Sequence, residues 1–251
     1  MSYPFGGVCD EFHVSTRLFL KLDLTLERET VLHFFDSIKR EFPGMRKLRR
    51  RDDDALILEE DYSDEGERRW LRLEGGAIRF GVSSPRSAEE VRRFGDVVLE
   101  MAPFHLTLGE LDYDHLEVVY GFDLEYRGNH DQLVADTLLS DHPLVNLLAD
   151  DKSRPVIDCQ PFMGVSLTEE CDIQAYVDIK SRTTTFEVRT GQFESQSLSV
   201  YLTLRKYWGF NDAPSLVAAH RDLIERAEEI ATERLVPMVV SPLAQAIASQ
   251  R

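Results

Sequence analysis

The chain has 251 residues, 43% of them hydrophobic and 29% charged, which is the composition of an ordinary globular protein with room for one large or two medium cores. Its formal net charge of −16 repels phosphate backbones and anionic lipid, so neither nucleic acid nor a membrane surface is an expected partner. The charge is uneven: the first 110 residues hold 17 of the basic and 22 of the acidic residues, leaving 12 and 23 for the rest. No run approaches the roughly 18 apolar residues of a membrane helix, and residues 1–10 lack the features of a secretory signal, so a cytoplasmic location is expected. Cys9, Cys159 and Cys171 lack the spacing of a zinc or redox motif and read as reduced thiols, with a Cys159–Cys171 bridge across a hairpin as the minority reading.

From about Phe12 a long alternating strand is predicted, with Leu18, Leu20, Leu22 and Leu24 on one face. Val31, Phe34, Phe35, Ile38 and Phe42 then recur at helical spacing, and Pro43-Gly44 stops that helix. Short strands follow at about 45–51, 55–62, 68–73 and 77–82, separated by turns at 52–54, 63–66 and 75–76. A second helix opens with Ser87 and Glu90 at capping-box spacing, turns Val91, Phe94, Val98 and Met101 to one side, and is expected to end at Pro103.

The same order then begins again. A strand carries Leu116, Val118, Tyr120, Phe122, Leu124 and Tyr126 on one face, and placing Leu22 on Leu124 gives an offset of 102 at which Val31 meets Leu133 and Leu32 meets Val134. Helices are predicted at 130–139 and 143–148, strands at 156–167, 171–180, 182–190 and 197–206, and a long helix at 214–235 with Leu216, His220, Leu223, Ala227 and Ile230 on its inner face. The expected fold is α+β, with two β-α-β4-α halves at 1–110 and 111–236 whose antiparallel sheets pack on helices, followed by an apolar tail at 237–251. The halves either join edge to edge by pseudo-twofold symmetry, protecting strand edges, or close separately about the apolar linker Phe104, Leu106 and Leu108.

In element order alone, each half resembles the repeats of the TATA-binding-protein family and, in enlarged form, helix-grip ligand-binding domains. The resemblance to the second family implies a curved antiparallel sheet wrapped around the long terminal helix. The DNA-binding role of the first is opposed by the charge.

Candidate chemistry is sparse. Asp112, Asp114 and His115 offer two carboxylates and an imidazole, but alternation turns His115 away, and a solvated turn explains them without a metal. Cys9 and His13 are four apart, yet lie in a segment that Pro4, Gly6 and Gly7 make extended rather than helical. The basic run at 46–51 meets Asp52, Asp53 and Asp54 at once, so the two partly cancel in a hairpin. His220 stands on an apolar stripe, where a core histidine is the ordinary explanation and a ligand contact the sharper one. Met238, Val239, Val240, Leu243 and Ile247 make a tail without charge until Arg251, to be buried on the body or on a partner. No phosphate loop, dinucleotide fingerprint, nucleophile elbow or paired CxxC is found.

The sequence therefore supports a non-enzymatic binding or assembly protein, self-associating or holding a protein partner through sheet surfaces and its tail, with no catalytic residue, metal or cofactor expected. A carrier of a small apolar ligand, contacted by His220, is the second reading, and an enzyme of unfamiliar type using carboxylates with His220 or His115 is the third.

Overall fold

The computed structural model describes residues 5–61, 66–148, 154–208 and 215–250. In chain order, strand β1 (Glu11–Leu20) leads to α1 (Arg28–Glu41), then to β2 (Met45–Arg50), β3 (Leu56–Glu60), β4 (Arg68–Glu74), β5 (Ala77–Ser83) and α2 (Ala88–Leu106). A 3-10 turn at Glu110–Asp112 opens the second stretch: β6 (Tyr113–Tyr126), α3 (His130–Leu138), α4 (Pro143–Leu148), β7 (Phe162–Ser166), β8 (Ile173–Lys180), α5 (Thr185–Thr190), β9 (Gln196–Tyr207) and α6 (Leu216–Ile230). A wide-turned π-helical stretch (Ala231–Val240) continues α6 into α7 (Ser241–Gln250). The predicted turn residues 63–65 and the helix start at Pro214 lie outside the described residues.

The nine strands of the described residues form one mixed-length antiparallel sheet in the order β2-β3-β4-β5-β1-β6-β9-β8-β7, so the molecule is α+β. The sheet is continuous through its centre, where Val14 opposes Tyr120 and Thr16 opposes Val118 on β1 and β6. Period-two alternation decides its faces. Val14, Leu18, Phe80, Leu116, Tyr120, Phe122, Leu202 and Leu204 are buried on one side. The helices pack there: α6 lies on β6 and β9, α2 on β5, and α1 on α2. Each helix brings a matching stripe, such as Val31, Phe34, Phe35 and Ile38 of α1 and Leu216, Ala219, Leu223, Ile224 and Ala227 of α6. Burying one Leu or Phe in this way stabilises by about 1.5–3 kcal/mol.

Four expectations need correction. The first strand stops at Leu20, because its ladder slips at Phe19/Leu20 and the chain then follows the Gly75-Gly76 turn, leaving Leu22 70% exposed. Pro103 lies inside α2 rather than ending it; the helix runs on to Leu106 and closes on Thr107 in the left-handed region, whose N–H reaches the Pro103 carbonyl. Residues 182–190 are not a strand, so among the described residues β6 is followed in the second half by three strands, β7, β8 and β9, where the β-α-β4-α order called for four. Arg182 turns back to donate to the Ser197 carbonyl and Ser199 Oγ, and Thr184 and Glu187 then cap α5 reciprocally before Gly191 (φ 67°) ends it. The predicted strand at 156–167 shortens to the five residues of β7.

Candidate functional site

The face of the sheet opposite the helices is polar and aromatic, and its residues answer one another across the strands. Arg79, Arg17, Glu117, Arg205 and Gln174 form a row in register over β5, β1, β6, β9 and β8. Arg205 Nε donates to Glu117 Oε2 at 2.7 Å, and Arg17 approaches Glu74 at 3.4 Å. The Arg17 guanidinium also lies 3.8 Å over the Phe19 ring, which stacks at 4.0 Å on His115, itself 5.0 Å from Tyr207. Gly121 leaves the room that the His13 ring occupies, 3.9 Å from Asp123, and burial pushes the His13 pKa down against the pull of that carboxylate. These arginines are thus engaged by carboxylates and rings on the same sheet rather than presented as a cationic surface.

The two ends of the sheet differ more sharply. Strand β2 exposes Arg46, Lys47, Arg49 and Arg50, with Arg49 bonded to Glu59, Arg50 to Asp54 and Lys47 3.9 Å from Asp61. Charged side chains of this kind discourage edge pairing. Strand β7, Phe162-Met163-Gly164-Val165-Ser166, has no charge, and every one of its residues is exposed. Its backbone phase follows from the hydrogen bonds at either end, Ile179 N–H to the Pro161 carbonyl at 3.1 Å and Leu167 N–H to the Ile173 carbonyl at 2.8 Å. Odd-numbered residues therefore bond to β8, while Phe162, Gly164 and Ser166 aim their N–H and C=O groups away from the sheet.

Side chains complete that edge. The Tyr176 ring lies over Gly164, stacks at 5.7 Å on Phe162 and is covered by the Arg205 guanidinium at 4.7 Å. On the helix-bearing side, Met163 and Val165 stand opposite Val177 and Ala175 and remain 68% and 45% exposed. Beyond Phe162, an apolar cavity of about 550 Å³ is lined by Leu139, Leu144, Val145, Leu148 and Ile157. Leu144, Leu147, Leu148 and Ile157 are themselves exposed, so β7 borders an extended apolar surface.

The residues singled out in the sequence are placed elsewhere. His220 is fully buried between β1, α2 and α6, with Nε2 3.0 Å from Thr16 Oγ1, its ring 5.9 Å from that of Phe80, and its body filling the space left by Gly95. Burial lowers its pKa to about 4, and Nδ1 has no partner among the described residues, so the ring is neutral. Val240, Leu243 and Ile247 lie in the chain's own core, where α7 packs on α3, while Val239 is half-buried and Met238 is 68% exposed.

The remaining candidates separate. Asp112 accepts from Gly109 N–H in the turn, and Asp114 bonds His115 Nδ1 at 2.8 Å on the uncovered face. Cys9 donates to the Phe5 carbonyl, apart from His13, and burial chiefly pushes its pKa up to about 12. All three cysteines are free thiols. Among the described residues no group of three or more His, Cys, Asp or Glu is arranged to hold a metal ion, and no helix is long and apolar enough to cross a membrane.

Sequence reasoning missed the β7 edge because it read 156–167 as one long strand inside a sheet. The available signal was the lack of any charged residue from Cys159 to Thr168, against five basic residues in 46–51 at the other edge. Compared with known proteins, the chain matches no family model and no curated sequence.

Proposed function

We propose that this is a non-enzymatic binding or assembly protein that works through its sheet, with the free edge of β7 as its contact. The observation that carries the reading is the asymmetry of the edges: β2 is guarded by charge, whereas β7 offers outward backbone donors and acceptors flanked by uncharged side chains. Of the five tail residues singled out from sequence, Val240, Leu243 and Ile247 are buried in the chain's own core and Met238 and Val239 reach the surface, so the sheet is the larger contact.

The same reading includes an internal duplication. At the offset of 102 the start of β1 (Glu11) coincides with that of β6 (Tyr113), and the start of α1 (Arg28) with that of α3 (His130). Thr16 opposes Val118, its own counterpart at that offset, so a pseudo-twofold axis passes between them. Each half thereby hides its first strand against the other, which leaves β2 and β7 as the two outer edges.

The test is the native mass of the protein taken from its own cells, wild type against Met163→Lys/Val165→Lys. Both side chains are exposed, so the variant keeps its fold. The expected result is an assembly heavier than 28.8 kDa that is lost in the variant; a single-chain mass from cells, together with no self-association of the purified chain, overturns the reading.

A second reading, carriage of a small apolar ligand, draws support from the cavity beside Phe162 rather than from His220. Titration with a medium-chain fatty acid tests it: saturable binding weakened by Leu148→Arg supports carriage, and no binding removes it.

A further inference from the structure

We propose that two copies of the chain pair through β7 about a twofold axis at Gly164, joining their sheets edge to edge in antiparallel register. This rests on β7 being the contact edge and names what occupies it.

The backbone phase selects the register. A twofold axis at Gly164 makes that residue a hydrogen-bonded pair with its own copy, and makes Phe162 a hydrogen-bonded pair with Ser166 of the second copy and the reverse. Phe162, Gly164 and Ser166 are the residues whose N–H and C=O groups point outward, so every outward group of the strand finds a partner. Moving the axis by even one residue leaves part of the five-residue strand unpaired.

Side-chain sizes match the same axis. Phe162 meets Ser166, large against small; Gly164 meets Gly164; Met163 meets Val165 in the closer, non-hydrogen-bonded pairs. On the helix-bearing side, Met163 and Val165 of both copies form one apolar strip that continues Val177 and Ala175. On the other side, Tyr176 shields the backbone of Gly164, so the ladder forms away from water on both faces. Asp178, the cross-strand neighbour of Phe162, has its carboxylate 3.0 Å from Lys180. An unrelated extended peptide would satisfy the backbone groups equally well. The pairwise fit of the five side chains to their own reverse order is what points to a second copy.

The two chains each carry −16, so pairing is opposed by long-range repulsion and is expected to strengthen with added salt. A short ladder working against that repulsion gives a reversible dimer.

Sedimentation velocity of the purified chain over a wide concentration range tests the proposal. Wild type should move from 28.8 kDa toward twice that mass as concentration rises. Met163→Lys/Val165→Lys should raise the dissociation constant about tenfold or more, with an unchanged circular dichroism spectrum, because lysines then face each other across the ladder.

Register is read separately by oxidation in a Cys171→Ser background. Met163→Cys/Val165→Cys should form a covalent dimer, whereas Met163→Cys alone faces Val165 and should not. A wild-type chain that stays monomeric at its highest soluble concentration overturns self-pairing. If the protein from cells nevertheless sits in a β7-dependent assembly, the contact edge stands with a different occupant. If both measurements show a single chain, the edge reading falls as well. Cross-linking of single and double cysteine variants alike overturns the twofold register.

Discussion

His220 couples the stability of the fold to pH, and the size of the effect follows from where the ring lies. It is fully buried, it touches one hydrogen-bonding partner, Thr16, and the ring fills the hollow over Gly95. A proton added there creates a charge with no acceptor at Nδ1. Burial accordingly lowers the folded pKa from 6.5 to about 4, with Asp96 pulling the other way and Arg221 and Arg92 adding to the depression. In the unfolded chain the imidazole titrates normally, so between these two values the unfolded state binds the extra proton. Stability is therefore fully present above pH 6.5 and is lost as pH falls toward 4, by roughly 3 kcal/mol over the whole window and roughly 2 kcal/mol by about pH 5.

Urea unfolding followed by circular dichroism between about pH 8 and about pH 5 measures this, with His220→Gln as the reference that cannot titrate. The wild-type loss of stability should exceed that of the variant by roughly 2 kcal/mol, whatever the carboxylates contribute to both. Parallel pH curves for the two proteins would refute the placement of a neutral histidine in the core.

Three further outcomes follow from packing and backbone geometry. Gly95→Ala puts a methyl group into the His220 ring, and the interior there is rigid; a loss of about 1–3 kcal/mol in the same unfolding assay is expected, and near-neutrality would mean that the ring lies elsewhere. Leu243→Ala opens a cavity under α7 and should cost about 2–5 kcal/mol, whereas an unchanged midpoint would show that the C-terminal helix is not part of the core. Gly191→Ala forces a side chain into the left-handed region at the end of α5 and should cost about 1 kcal/mol, measurable as a lower thermal midpoint.

The first half of the fold was legible in the sequence nearly strand by strand, because its signals are local. Turn residues punctuate each of β2 to β5, and α1 and α2 carry single apolar stripes. The second half was less so, for identifiable reasons. The run 182–190 is rich in threonine, which reads as strand, and only the position of Glu187 three residues after Thr184 discloses a helix cap. The tail after Pro237 is expected from sequence to be buried on the body or on a partner without a choice between them, and the wide-turned helix, which accommodates Pro237, carries Val240, Leu243 and Ile247 into the chain's own core. The candidate site was not legible at all. An edge is a property of strand order, and nothing in residues 162–166 taken alone says that β8 lies on one side and solvent on the other. His220 was found as a residue on the helix stripe, but its enclosure depends on Gly95, 125 positions away in the chain.

Amide hydrogen exchange along β7, measured at low and at high protein concentration, tests the central claim most directly. The outward amides of Phe162, Gly164 and Ser166 should exchange quickly in dilute protein, slow markedly as concentration rises, and remain fast at every concentration in Met163→Lys/Val165→Lys, while the inward amides of Met163 and Val165 stay protected throughout. Fast exchange at the outward positions in concentrated wild-type protein, or protection that the lysines do not remove, would contradict the account.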